Sequence, residues 1–236
     1  MIWLGIDTSN LPLTVAVVQD GQLVVEWTSS MKVTHSIGAM PSIEEILVKA
    51  NMVPSDLDAI AVSEGPGSYT GVRIGVTIAK TLAWSLKIPL VGVSSLQALA
   101  GNASFFNGFI CPIIDARRNH VFSGLYANTM ESVIPDGHYA IETIIESLSS
   151  KEEQILFVGK DVDIHWSHIQ TVLGDKAKRA LFHADLPRAS VVIELAMKQP
   201  LPSIDATHQF VPKYNRIAEA EANWNAEQLK AGKMNE

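Results

Sequence analysis

Four glycines and one proline lie within residues 64–75, and an apolar segment with helical spacing follows directly. The preceding run, residues 57–62, is mostly apolar and is typical of a buried strand. Glycine is used where φ is positive or where another group must come close. The segment therefore predicts a tight turn from a strand into a helix. The N–H groups at the start of that helix have no intrahelical partner, so they can hold an anion or contact a partner's backbone.

The composition is that of a folded globular chain in a reducing compartment. Of its 236 residues 47% are hydrophobic, and Cys111 is the single cysteine, so no internal disulfide can form. We therefore expect a cytoplasmic location. The formal charge of −7 argues against a broad nucleic-acid surface on this chain by itself. No apolar run reaches the roughly 18–20 residues of a membrane span, and the apolar N-terminus is interpreted as a first strand rather than a signal peptide.

Hydrophobic spacing divides the chain into two α/β halves, residues 1–104 and 105–218, and a polar tail, residues 219–236. The first half predicts the order βββαβαβ. Its strands are expected at 2–6, 13–18, 22–28, 57–62 and 90–93, and its helices at 37–51 and 72–86. The second half predicts strands at 109–114, 121–127, 154–158 and 180–183, and helices at 141–149, 162–173 and 190–198. The segment 199–213 carries three prolines and is expected to be extended.

Two short turns repeat one pattern. Ile6-Asp7-Thr8 ends the first strand, and Ile114-Asp115-Ala116 ends the corresponding strand of the second half. Each is followed by a turn and another strand. Together with the matching order of elements, this repeat favours two related halves that face one cleft.

The first of these turns, Asp7-Thr8-Ser9, supports two interpretations. A carboxylate beside hydroxyl and N–H groups can face a metal-bound phosphate, as in anion or nucleotide binding. Asp and Ser also favour simple capped turns. The second turn carries Ala116 and two arginines where a phosphate cradle would prefer glycine, which favours a solvated turn or an ion pair with a partner protein.

No metal site or catalytic nucleophile is predicted. His35 has no second histidine within helical reach, and His165 and His168 lack a carboxylate or cysteine pattern that would complete a ligand set. Cys111 lies inside an apolar strand and is interpreted as a core residue. The candidate serines lack a glycine-framed nucleophile elbow; they are Ser9, Ser36 and Ser68.

The helix after the glycine turn carries small residues every four positions and apolar residues on its other faces. Such a helix is expected to be buried on all sides. Its own sheet and the first helix account for one face, and we expect a second subunit to cover the other. The predicted partner contacts are Gly71, Val72, Gly75, Val76, Ala79 and Ala83, with Ile43 of the first helix. A bulky residue at Gly75 is then predicted to abolish the complex and leave the monomer folded.

The assembled motifs resemble the TsaB (YeaZ) family of subunits from the bacterial machinery that makes N6-threonylcarbamoyladenosine in tRNA. The resemblance is dense over residues 1–127. The segments that carry it include GIDTS at 5–9, GPGSYTGVRIG at 65–75, IDARR at 114–118 and PKYNR at 212–216. The glycine turn and the IDARR turn are specific as a pair.

The resemblance implies an actin-like, sugar-kinase and Hsp70-like α/β fold with two lobes, each beginning with a β-meander. It implies a non-catalytic subunit that docks on a TsaD-like transferase through its N-terminal helices, a TsaE-like ATPase in the same complex, and tRNA contact only through that complex. It also implies a homodimer when the chain is alone, and it leaves open ATP or ADP at the subunit boundary. The alternative is an ATP-using phosphotransferase or ATPase in which Asp7 orients the metal-bound phosphate. A peptidase is the weakest interpretation, because no nucleophile–base pair supports it.

Overall fold

The computed structural model describes residues 1–31 and 35–214. The predicted polar tail at 219–236 lies outside these residues, as do the last two positions of the PKYNR motif. The described chain forms two five-stranded sheets and six α-helices. None of the helices in these ranges is long and apolar enough to cross a membrane.

The first sheet confirms the predicted meander. Its strands are β1 (Ile2–Asp7), β2 (Leu13–Gln19), β3 (Gln22–Ser29), β4 (Ala59–Ser63) and β5 (Leu90–Val93), in the order β3-β2-β1-β4-β5. The first three strands are antiparallel, whereas β4 pairs parallel to β1 and β5 parallel to β4. The helices α1 (His35–Lys49), α2 (Tyr69–Leu86) and α3 (Ser95–Gly101) complete this half.

The second sheet repeats the same arrangement. Its strands are β6 (Phe109–Asp115), β7 (His120–Ala127), β8 (Ser132–Ala140), β9 (Ile155–Val158) and β10 (Ala177–Arg179), in the order β10-β9-β6-β7-β8. The helices are α4 (Ile141–Ser149), α5 (Val162–Leu173) and α6 (Ala189–Met197). Each sheet therefore places its meander on one side of the first strand and its parallel strands on the other, which confirms the two-lobe fold.

The core between the sheets is shared by both halves. Alternate residues of β1 face opposite sides: Leu4 and Ile6 pack with α1 and α2, whereas Trp3 joins the cluster that also contains α3 and α6. The helix α6 comes from the second half but packs on β1, β2 and β4, and α3 comes from the first half but packs on β6 and β7. This exchange holds the lobes together, and it places α6 spatially with the first sheet.

Four features differ from the sequence prediction. Neither α3 nor β8 was predicted, because α3 has only seven residues and β8 contains Pro135 and Gly137, which are tolerated on an edge strand. The last strand lies at Ala177–Arg179 rather than at 180–183, and the segment expected to be extended contains a 3-10 helix at Ile204–Gln209.

Candidate functional site

The glycine turn packs directly on the β1–β2 turn. A Cβ added at Gly67 would lie 2.1 Å from the carbonyl oxygen of Ser9, and one at Gly71 would lie 2.2 Å from that of Thr8. The N–H of Ser68 donates to the Ser9 carbonyl at 2.7 Å, and the Thr8 hydroxyl donates to the Gly71 carbonyl at 2.7 Å. The glycines therefore allow one turn to close over the other.

Asp7 is enclosed beneath these turns. One carboxylate oxygen accepts from the N–H and the hydroxyl of Ser9, both at 2.7 Å, and the other accepts from the Ser63 hydroxyl at 2.6 Å. Burial raises the pKa of Asp7, although these hydrogen bonds and the nearby His35 act to lower it. The side chain is completely buried.

This geometry favours the capped-turn interpretation over anion or nucleotide binding at Asp7, Thr8 and Ser9. Their exposed fractions are 0%, 1% and 1%, so a ligand has no surface from which to reach them. Their polar atoms are already engaged with Ser63, Gly71 and one another. The turn resembles a phosphate loop in sequence, but here it is filled by the glycine turn.

We expect Asp7→Asn to reduce the pH dependence of folding. Because burial raises the pKa of Asp7 in the folded chain, the folded state holds the proton more tightly than the unfolded state. The contribution of this group to stability is full below the unfolded pKa of about 3.9 and is lost as the pH rises through the higher folded pKa. Urea unfolding at about pH 4 and about pH 8 should show that the wild-type chain loses more stability than the variant. The exposed Asp175→Asn is the charge control, and identical profiles for wild type and Asp7→Asn would contradict this role.

The second turn does not build a phosphate cradle either. Arg117, Arg118 and Asn119 have φ values of 66°, 53° and 58° and are exposed at the tip of the β6–β7 hairpin. The Asp115 N–H donates to the Asp161 carboxylate at 2.9 Å, and its carboxylate lies 3.7 Å from Nε2 of His165. Asp115 thus contacts the start of α5 in its own lobe.

The candidate histidines and the cysteine do not build a metal site or a reactive thiol in the described residues. Within the described ranges, no group of three or more His, Cys, Asp or Glu side chains could hold a metal ion. Burial raises the pKa of the Cys111 thiol to about 12, so it stays protonated at neutral pH. Its sulfur lies 3.3 Å from the Ser123 hydroxyl inside the second sheet.

The predicted partner contacts lie inside the first lobe. Gly71, Val72, Gly75, Val76, Ala79 and Ala83 are the buried residues of α2, and Ile43 is only 3% exposed. The two glycines of the small-residue stripe, Gly71 and Gly75, therefore face this chain's own β1–β2 turn. A Cβ at Gly75 would lie 2.4 Å from the Thr8 hydroxyl, so a bulky residue there would disturb the monomer itself.

The outward side of α1 is the apolar surface that sequence reasoning missed. Ile37, Met40 and Val48 are 71%, 45% and 70% exposed. Their spacing places them along one face, and we call these three residues the outer face of α1. Helical spacing in the sequence predicts Ile37 and Met40 on one apolar stripe with Ile43, Ile46 and Leu47. The structure instead buries Ala39, Ile43, Ile46 and Leu47 and leaves Ile37 and Met40 exposed. In the sequence, Val48 is the residue that indicates this second apolar face, because it is out of phase with the buried stripe.

A family model described as TsaD: tRNA N6-adenosine threonylcarbamoyltransferase matches residues 29–224. The match covers most of the chain, so the chain belongs to the broad family that this model represents. The tRNA threonylcarbamoyladenosine biosynthesis protein TsaB of Bacillus subtilis (strain 168) is 43% identical over 227 residues, covering 95% of this chain and 98% of the relative. This chain belongs to the TsaB family. The TsaB of Haemophilus influenzae is 30% identical over 84% of this chain and 86% of its own length.

Solved structures agree on the fold of this TsaB-family chain. YeaZ from Pseudomonas aeruginosa superposes with a TM-score of 0.73 at 23% identity, covering 90% of this chain and 99% of that one. An uncharacterized protein with similarity to peptidase YEAZ from the same organism gives a TM-score of 0.75 at 24% identity, covering 91% and 99%. At these identities the likeness concerns the fold.

Proposed function

We propose that this chain is a non-catalytic subunit of tRNA threonylcarbamoyladenosine biosynthesis. It binds a TsaD-like transferase and supports threonylcarbamoyl transfer to the tRNA adenosine next to the anticodon. Similarity over the full length of the Bacillus subtilis TsaB supports the pathway. The observation that carries the docking role is the outer face of α1, where Ile37 and Val48 are more than two-thirds exposed.

The closed β1–β2 turn supports a scaffold rather than a phosphotransferase. A phosphotransferase of this fold would need Asp7 beside its substrate, but Asp7 is buried under the glycine turn and hydrogen-bonded to Ser9 and Ser63. Opening that turn would break the Thr8–Gly71 and Ser68–Ser9 hydrogen bonds. The ATPase alternative therefore requires a rearrangement of the first lobe.

Docking can be driven by the apolar face of α1. Burying a large aliphatic side chain contributes roughly 1.5–3 kcal/mol, so a few such residues can anchor an interface. If they bind the transfer-competent conformation of the partner more tightly than its other conformations, this chain activates the partner by shifting its population. In the absence of that partner, the same face supports a homodimer.

The remaining partners follow from the pathway. We propose that a TsaE-like ATPase joins the complex in the cytoplasm and that tRNA is contacted through the complex. The formal charge of −7 supports the second point, because phosphate backbones are bound by basic surfaces.

The test is to purify this chain with the TsaD-like subunit of the same organism and to measure transfer to tRNA with and without it. We expect a stable complex, and transfer that depends on this chain. Transfer at the same rate without it would contradict the scaffold role. Titration of the isolated chain with Mg-ATP separates the alternative, since micromolar binding with hydrolysis would favour the ATPase.

A further inference from the structure

A C-terminal segment runs along one side of α2. We call residues 204–214 the strap. The rings of Trp84 and His208 lie 3.9 Å apart near the end of α2, and Arg73 Nε donates to the Tyr214 hydroxyl at 2.9 Å near its start. Between these points, Lys80 Nζ donates to the carbonyls of His208 and Phe210 at 2.8 and 3.0 Å. The strap therefore runs antiparallel to α2.

A groove of about 720 Å³ lies between α2 and the strap. Arg73 and Trp84, which mark its two ends, are eleven residues apart on α2, so the groove is about 16 Å long at 1.5 Å per residue. That length matches three turns of a helix or about five residues of extended chain. The groove is open to solvent along α2, where Thr77 and Thr81 are exposed.

The charged groups of this groove are all basic. Arg73 and Lys80 line it, and no acidic residue does. Neither cation has a carboxylate partner within 4.0 Å in the part of the chain that the structure describes. Lys80 instead binds two carbonyls, and Arg73 lies 4.5 Å from the centre of the Tyr69 ring. In a chain with a net charge of −7, this is a local site that favours a carboxylate.

The rim of the groove is apolar. Trp84, Val211 and Tyr214 are 53%, 66% and 44% exposed. A ligand that combines acidic side chains with apolar or aromatic ones would contact both the cations of the groove and its apolar rim. The rings of Tyr69 and Tyr214 lie close to the Arg73 guanidinium, which leaves less room for a phosphate backbone and favours a peptide.

We infer that the groove between α2 and the strap binds an acidic segment of the TsaD-like partner that also carries apolar side chains. This inference rests on the proposed function. Because α1 packs against α2, a partner that covers the outer face of α1 can also reach the groove. The apolar face of α1 then anchors the partner, and the cations of the groove select its acidic segment.

The experiment compares opposite charges at the same positions of the full-length chain. Thr77→Glu with Thr81→Glu places two carboxylates in the groove without removing a strap contact, and Thr77→Lys with Thr81→Lys is the matched variant. We expect calorimetric titration with the TsaD-like partner to show at least tenfold weaker binding for the glutamate variant. The lysine variant should bind as tightly as wild type or more tightly. Thr143→Glu on α4 controls for net charge.

Three outcomes would overturn the inference. Equal affinity of the glutamate and lysine variants would show that no acidic segment lies in the groove. If the glutamate and lysine variants no longer differ in affinity once the chain also carries Glu219→Lys and Glu221→Lys, the chain's own tail is the occupant of the groove. Binding of tRNA by the chain alone, lost in the glutamate variant, would assign it to nucleic acid. If the wild-type chain does not bind the partner at all, the proposed function fails instead.

Discussion

Gly71→Ala is expected to lower the free energy of unfolding of the isolated chain by about 2 to 4 kcal/mol. The new Cβ would lie 2.2 Å from the carbonyl oxygen of Thr8, a backbone atom that cannot rotate away. Relief requires α2 to move off the β1–β2 turn, which breaks the hydrogen bond from the Thr8 hydroxyl to the Gly71 carbonyl. That hydrogen bond lies in a buried region, so its loss adds to the cost of overpacking.

Urea unfolding measures this change, and helix propensity makes the result diagnostic. In an unhindered helix, alanine is favoured over glycine by about 1 kcal/mol, so a neutral or stabilising Gly71→Ala would show that the close approach to Thr8 is absent. Thr77→Ala on the exposed side of the same helix is the control. It should change the free energy of unfolding by no more than about 0.5 kcal/mol.

Ile37→Arg combined with Val48→Arg is expected to weaken binding of the TsaD-like partner at least about 100-fold. Both side chains are about 70% exposed in the isolated chain, so the monomer should keep its stability. In the complex, each arginine would remove an apolar contact and bury a charge without a partner, and both effects oppose association.

The measurement is titration of the purified partner with each variant, together with urea unfolding of the variant itself. Ile164→Arg on α5, where Ile164 is 63% exposed, is the matched control and should bind normally. Normal binding by the α1 double variant would show that the partner docks on another surface. A parallel loss in the Ile164 variant would show a general effect of added charge.

Local patterns were sufficient for most of the secondary structure. The meander β1–β2–β3 could be predicted because Asp20-Gly21 marks a hairpin between β-branched runs, and α5 was predicted with its observed bounds of Val162–Leu173. The edge strand β8 could not, since Pro135 and Gly137 argue against a strand and only pairing with β7 places them in one. The outer face of α1 was misassigned because apolar residues occupy both sides of that helix, and periodicity does not identify the side that meets the sheet.

By itself, the sequence determined that something must approach α2 closely, because Gly71, Gly75, Ala79 and Ala83 carry no side chain larger than a methyl group. It did not determine what approaches. Only the tertiary structure decided this: β1 pairs parallel to β4, with Ile6 beside Val62, so the turns that follow both strands meet at one edge of the sheet. Thr8 and Gly71, 63 residues apart in the chain, are thereby brought into hydrogen-bond contact. The glycines accommodate that contact within one chain, and the surface that we propose for a partner lies on the opposite, outward side of the helix pair.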